Sequence, residues 1–278
     1  MLLSHTRKKR FYEIEAIEIP IVYNKYGDHD PNGLLYVLKK DAERVLTCAM
    51  KNFSQDIPQP CDEVKPLVIR ANKGDTVVVT FTHSLNRPLS IHVQGMAYDV
   101  QTSDGASVGY NKDSTTFHRI TYTWYAKHEG VYIFHDMGDP TSNEDSTNIH
   151  GLFGAIIVEA PQSRWLDPEN GKELDSGLFA DIYHPTHPAF REYAVFFHDE
   201  LEITWSQSET TSHCPCFHNK KPRLHHKLQW QQTNTLSSSE ILILLSLSHS
   251  HVSPAQEYTV RKCKSTKEVL LLTISPVS

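Results

Sequence analysis

The sequence predicts an all-β fold, a sandwich or barrel, over most of its first 200 residues. Two observations carry this: short stretches of strand-type alternation, and turn-forming residues that separate them at close intervals. Residues 75–82 (DTVVVTFT) alternate most clearly, with Val77, Val79 and Phe81 on one face and Thr76, Val78 and Thr80 on the other. Residues 11–22 alternate and are rich in Ile and Val. Further strands are predicted at 66–70, 89–93, 119–125, 131–135, 153–159 and 192–203. The turns between them are Asn72-Lys73-Gly74, Ser103-Asp104-Gly105, Glu129-Gly130 and Met137-Gly138-Asp139-Pro140. One helix is predicted at 40–51, where Ala42, Val45, Leu46 and Met50 approximate a 3.6-residue period. Many short strands with such punctuation favour a two-layer or closed β architecture.

Composition narrows the function classes. The chain has 278 residues, 39% hydrophobic and 22% charged, which leaves room for one large domain or two ordinary ones. A net charge of −6 gives no electrostatic reason to expect nucleic-acid binding. Lys8-Lys9-Arg10 reads as a solvated tail, so residues 1–10 are expected to be a flexible N-terminus. The apolar run 241–247 is far below the roughly 20 residues of a membrane span. Met1-Leu2-Leu3-Ser4-His5 turns basic without the apolar stretch of a secretory signal, which makes a cytoplasmic location the default expectation. Cys48, Cys61, Cys214, Cys216 and Cys263 are odd in number and lack a disulfide-framework spacing, so Cys48 and Cys61 are expected to be inert. Seventeen histidines are the unusual count, and histidine is the commonest transition-metal ligand.

The chain changes character near residue 204. All 12 glycines lie at or before Gly177, and no aspartate follows Asp199. At an average frequency near 7%, roughly seven glycines would be expected in the remaining stretch. Residues 204–278 therefore read as foreign to what precedes them: a frameshifted or degenerate tail, or a natural linker-like extension. The expected C-terminal segment is incomplete or disordered.

The informative stretch is 66–159. Its landmarks, in order, are Gly74-Asp75 leading into the strand 76–82, then Asn86-Arg87-Pro88-Leu89-Ser90-Ile91-His92-Val93-Gln94-Gly95 and Asp104-Gly105. Gly130-Val131-Tyr132-Ile133-Phe134-His135-Asp136-Met137 and Gly151-Leu152-Phe153-Gly154-Ala155-Ile156-Ile157-Val158-Glu159 follow. This order resembles the N-terminal domain of multicopper oxidases, with greatest similarity to the bacterial, manganese-oxidase and ceruloplasmin-like branch. The resemblance implies a cupredoxin-like Greek-key β-sandwich over residues 11–165. It further implies a linker at 166–191, the first strand of an incomplete second cupredoxin domain at 192–203, and an atypical tail at 204–278. By the same resemblance the cofactor is copper, and the activity is oxidation of Mn(II), Fe(II) or phenols by dioxygen. Further cupredoxin domains or subunits would supply the remaining ligands, at an outer cell or spore surface.

The family motif places two H-x-H pairs on neighbouring strands, each projecting two imidazoles to one side. Here the pairs read His92-Val93-Gln94 and His135-Asp136-Met137, so each keeps its first histidine and loses its second. A glutamine amide is a poor copper ligand, and a thioether favours Cu(I). A blue copper within the domain is excluded because residues 62–213 contain no cysteine. The metal candidates are thus His92, His135, Met137 and His150, the last lying before the closing strand. The bland alternative makes His92 and His135 hydrogen-bonded strand-end histidines of a copper-free structural or interaction module; a third reading is a truncated N-terminal part, inactive on its own. His29, in a turn with Asp28 and Asp30, reads as part of an Asx-type turn. His83, His118 and His128 read as solvent-facing. His213-Cys214-Pro215-Cys216-Phe217-His218 lacks the C-x₂₋₄-C spacing of structural zinc sites and reads as accidental. No nucleophile elbow, P-loop or dinucleotide fingerprint is present.

Overall fold

Strand order follows from which side chains must leave water. The computed structural model describes residues 8–106, 109–110, 119–138, 146–196, 198, 204, 257–262 and 269–275. The chain begins with β1 (Lys9–Glu18), β2 (Ile21–Val22), β3 (His29–Asp30) and β4 (Leu34–Leu38). A 3₁₀ turn at Lys39–Asp41 leads into α1 (Ala42–Phe53). Then come β5 (Leu67–Asn72), β6 (Thr76–His83), β7 (His92–Val93), β8 (Ala97–Tyr98) and the short α2 (Val100–Ser103). They are followed by β9 (Ile120–Tyr125), β10 (Gly130–His135), β11 (Phe153–Glu159), β12 (Arg164–Leu166), β13 (Phe179–His184) and β14 (His187–Phe196). The last described elements are β15 (Glu257–Lys262) and β16 (Val269–Ser275). By compactness the chain divides into residues 1–206 with 257–278, and residues 207–256; the second unit lies outside the described residues.

One sheet has the order β4-β1-β6-β9-β8 and a second β5-β11-β10-β7. Strands β1 and β6 run parallel, as do β5 and β11, while the other neighbours in these sheets are antiparallel. The result is the expected all-β, cupredoxin-like Greek-key sandwich. Its core joins Ile14, Tyr36, Val77, Val79, Phe81, Tyr122 and Trp124 to Leu89, Ile91, Phe134, Ile156 and Val158. Tyr132, half-buried, packs against this core. Strand β6 alternates as expected, burying every second residue from Val77.

The second sheet is covered on its other face as well. Val68, Val131, Ile133, Ala155 and Ile157 form a second apolar layer with Ala194, Leu178 and Phe196. Ala194 and Phe196 lie on β14 of a third sheet, β12-β13-β14-β16-β15, and Leu178 directly precedes β13. The linker expected at 166–191 instead contains β13 and the first half of β14, and β14 begins at His187 rather than at residue 192. The mixed polar and apolar sequence of 179–191 obscured this, because only alternate residues such as Ala180 and Ile182 reach the core. Nor is β14 left without partners. It pairs with β13 on one side and with β16 on the other, Phe196 opposite Val269 and Arg191 opposite Ile274. Most of the segment 204–278, expected to be incomplete or disordered, lies outside the described residues; of it, 257–262 and 269–275 are the strands β15 and β16, the latter an apolar run of high strand propensity. The Cys214 and Cys216 segment lies outside the described residues.

Three smaller corrections concern local elements. Strand β4 was missed because all five of its residues are buried, which erases alternation. The helix lies where periodicity placed it, but Val45 and Ala49 face the protein while Leu46 and Met50 are exposed. Cys48 and Cys61 are joined in a disulfide, with Cα atoms 6.1 Å apart, that fastens α1 to the segment entering β5. No spacing rule pairs two cysteines 13 positions apart, so only the fold shows their proximity. Among the described residues no helix is long and apolar enough to cross a membrane.

Polar groups also cross between layers. Arg70 on β5 and Glu192 on β14 are both fully buried and form an ion pair with Nη1 and Oε1 2.5 Å apart. Arg70 Nη2 also donates to the Gly177 carbonyl at 3.1 Å. Arg70 Nε and Glu192 Oε2 have no hydrogen-bond partner among the described residues. Such a pair is costly to break but replaceable as a unit. Glu192→Ala is expected to destabilise the fold by about 3–5 kcal/mol in chemical denaturation, whereas Arg70→Met combined with Glu192→Leu is expected to be near neutral. Equal losses from the single and double variants would show that the pair itself stabilises. Cys48→Ser is expected to lower stability by about 3 kcal/mol, the entropic effect of opening a loop of roughly 15 residues. Unchanged denaturation midpoints with and without reductant would contradict the disulfide.

Candidate functional site

Strands β7 and β10 are antiparallel neighbours, and their register sets His92 directly opposite His135. The imidazole centroids are 5.9 Å apart in an edge-to-face arrangement. The Gln94 backbone continues the ladder, its N–H donating to the Ile133 carbonyl at 2.8 Å. Two residues after His92, its side chain falls on the same side as that imidazole. There the Gln94 amide Nε2 lies 2.7 Å from His135 Nε2.

Each imidazole is oriented through its other nitrogen. His92 Nδ1 is 2.7 Å from the Asp104 carbonyl, and His135 Nδ1 is 3.0 Å from the Asp136 carbonyl. A carbonyl only accepts, so both rings carry a proton on Nδ1, and in the neutral tautomer this leaves the lone pair on Nε2. That is the tautomer and the anchoring by which protein histidines bind metals through Nε2. At His135 the Nε2 lone pair accepts from the Gln94 amide.

The partners of these rings are themselves fixed. Gly105 has φ +68°, and a Cβ there would come within 2.1 Å of the Ile91 carbonyl oxygen. Only glycine therefore lets the Asp104 turn approach β7 closely enough to reach His92. The Asp104 carboxylate accepts from the Tyr98 hydroxyl at 3.0 Å and from the Ala106 amide at 3.0 Å. Burial and the Asp104 bond push the Tyr98 phenol up to about 12. Behind His135, the buried Asp136 carboxylate accepts from the Ser90 amide at 2.7 Å, the Gly138 amide at 2.9 Å and the Thr147 hydroxyl at 2.7 Å. Tyr36 donates to the Ser90 carbonyl at 2.5 Å from the centre of the core.

The four metal candidates are thus only partly assembled. His92 and His135 come together. Met137 sits in the following loop, its backbone N–H donating to Ser90 Oγ at 3.0 Å and its side chain half exposed. His150 is buried elsewhere, with Nδ1 2.7 Å from the fully buried Asp30 carboxylate. Among the described residues no three His, Cys, Asp or Glu side chains form a metal-holding group, so His150 does not join the pair. Proximity to β11 in sequence suggested otherwise, but the chain turns at Gly151 and leaves His150 facing the β2–β3 hairpin. The His29 loop is an Asx turn as expected, Asp30 Oδ1 accepting from the Asn32 amide. His83 is buried rather than solvent-facing, because it continues the inward phase of β6 after Phe81. His128 is exposed, and His118 lies outside the described residues.

Residues 62–163 match the sequence model of the multicopper oxidase family. This stretch is a multicopper-oxidase-type cupredoxin domain. Hephaestin of Rattus norvegicus is 31% identical over 106 residues, covering 33% of this chain and 9% of hephaestin. Coagulation factor V of Bos taurus is 24% identical over 210 residues, covering 66% of this chain and 9% of that protein. The chain therefore matches about a tenth of the length of these relatives. Solved structures similar to it include a multicopper oxidase of Campylobacter jejuni described as a metallo-oxidase, at 17% identity and a TM-score of 0.38, covering 58% of this chain and 28% of that one. A copper nitrite reductase of Nitrosomonas europaea is 20% identical with a TM-score of 0.37, covering 56% and 43% of the two chains.

Copper is the cofactor of this family, and the residues present meet its needs in part. Two imidazoles in ligating tautomers suit a copper half-site. A three-copper cluster does not fit, since Gln94 and the half-exposed Met137 stand where the motif has imidazoles. Sequence reasoning missed Asp136 because it lies between the two motif positions rather than on them. Asp136→Ala would leave the Ser90 and Thr147 donors buried without an acceptor. It is expected to cost about 3 kcal/mol or more in chemical denaturation, and to shift the His135 imidazole resonances in an NMR spectrum. An unshifted His135 would separate Asp136 from the site.

Proposed function

We propose that this chain contributes an imidazole half-site to a copper-dependent oxidase, with His92 and His135 as its ligands. The observation supporting this is their register pairing with both Nδ1 atoms anchored on carbonyls, which presents two Nε2 lone pairs from adjacent strands. Copper bound there would supply one-electron redox chemistry. The protein's own part is to hold two imidazoles and to exclude rotation of either ring. Ligands from further cupredoxin domains or subunits would complete the site. By family resemblance the assembled protein would oxidise metal ions such as Mn(II) or Fe(II), or phenols, with dioxygen. The Cys48–Cys61 disulfide supports an oxidising location such as an outer cell surface, since cytosolic thiols are kept reduced.

A second reading, a copper-free interaction module, is favoured by one contact: the Gln94 amide already satisfies His135 Nε2. Copper(II) titration followed by electron paramagnetic resonance separates the two. The half-site reading expects a nitrogen-ligated Cu(II) signal that His92→Ala removes, and that Gln94→His strengthens by about tenfold or more in affinity. It also expects no intense blue absorption and no appreciable oxidase turnover by the chain alone, because the stretch lacks a cysteine ligand and two motif histidines. Copper binding unaffected by His92→Ala and His135→Ala would sink the half-site and leave the interaction module.

A further inference from the structure

We propose a second metal site, for a borderline divalent cation such as Cu(II), Ni(II) or Zn(II), at the hairpin joining β13 and β14. His184 and His187 close this hairpin as a cross-strand pair, beyond an irregularity in register after Ile182. Their rings are 4.4 Å apart by centroid, and the two Nδ1 atoms are 2.6 Å apart. The Thr186 hydroxyl lies 3.2 Å from His184 Nδ1 and 3.3 Å from His187 Nδ1. Two imidazole nitrogens and a hydroxyl oxygen therefore converge at one point of the surface.

The tautomer of His184 is set from behind. Its Nε2 lies 2.9 Å from the Pro161 carbonyl, which can only accept, so the ring proton is on Nε2 and the lone pair is on Nδ1. This is the backbone-carbonyl anchoring that accompanies metal-ligating histidines. Without a metal, His187 Nδ1–H donates to that lone pair, and the Thr186 N–H also points to it at 3.2 Å. A cation replaces this proton: His187, exposed to water, moves its hydrogen to Nε2 and offers its own Nδ1. Metal–nitrogen bonds of about 2.0–2.1 Å to both rings would hold the nitrogens about 3 Å apart, so the pair need open by only a few tenths of an ångström. Imidazole ligands with water in the remaining positions favour Cu(II) over Ni(II) and Zn(II). The residues belong to the third sheet and share none with the His92–His135 pair.

The test is calorimetric titration of the full chain with NiCl₂, repeated for His187→Gln, His184→Gln and His92→Ala. One binding event is expected to weaken by about tenfold or more in His187→Gln and in His184→Gln, and to persist in His92→Ala. His187 is exposed, so its variant should keep the wild-type melting temperature. Binding that is absent in the wild-type chain, unchanged in both hairpin variants, or lost only in His92→Ala would overturn the proposal.

Discussion

The sheet formed by β5, β11, β10 and β7 has almost no water-facing side, and that constraint organises the rest of the molecule. All six residues of β5 and six of the seven in β11 are buried. One face closes the main core with the sheet of β1 and β6, and the other needs a second cover. Strands with so few polar positions cannot alternate, so they must be sandwiched on both sides. The third sheet meets that need. Without Ala194, Leu178 and Phe196 over Val68, Val131, Ile133, Ala155 and Ile157, a broad apolar patch would face solvent.

This double cover explains why a charged pair sits at the layer junction. Arg70 alternates to the face opposite Ile69, where the apolar layer would otherwise run on unbroken. Its guanidinium finds Glu192 and the Gly177 carbonyl there, so the third sheet is held in one register against the second. Apolar contacts alone allow sliding, because they are not directional. The ion pair contributes position more than net stability, since both charges had to leave water. Strand β10 is central in its sheet, and its register sets His92 opposite His135.

Much of this was legible in the residues and some could not be. The period-two pattern of β6 reads directly, and the Gly-Val-Tyr and closing Gly-Leu-Phe-Gly landmarks mark β10 and β11, which lie in the sheet that faces it across the core. What escaped is information that alternation does not carry. Strand β4 is buried on both faces and shows no period. Strand β13 is half exposed and mixes polar with apolar residues. Most of residues 204–278 lie outside the described residues, but β16, an apolar and β-prone run, adds to β14 without glycine. At the site, the histidine pair was legible from i, i+2 geometry, but its supports were not. Asp104 and Asp136 act through a backbone carbonyl and through loop hydrogen bonds, and neither leaves a mark on spacing. The disulfide is of the same kind: one cysteine sits on a helix and the other on the loop after it, and only the fold defines their paths.

The substitution that matters most is Gln94, and its effect can be sized. A side-chain amide nitrogen carries hydrogens and no available lone pair, so this position changes from ligand to donor without moving the strand. Its hydrogen bond to His135 is part-buried and contributes a net stabilisation of about 0.5–1.5 kcal/mol. A metal ion approaching His135 Nε2 must first displace it. That lowers affinity by at most about tenfold, since 1.4 kcal/mol is one decade in an equilibrium constant. A penalty of this size weakens a metal site but does not close it. The Gln94 contact alone therefore does not make the domain copper-free. What limits the site is the number of imidazoles: among the described residues no third His, Cys, Asp or Glu joins the pair, and His150, committed to Asp30, does not do so. On the proposed half-site reading, two anchored imidazoles would hold a cation loosely until another surface brought its own ligands. The chemistry of the pair would then be decided by what docks against β7 and β10 rather than by the pair itself.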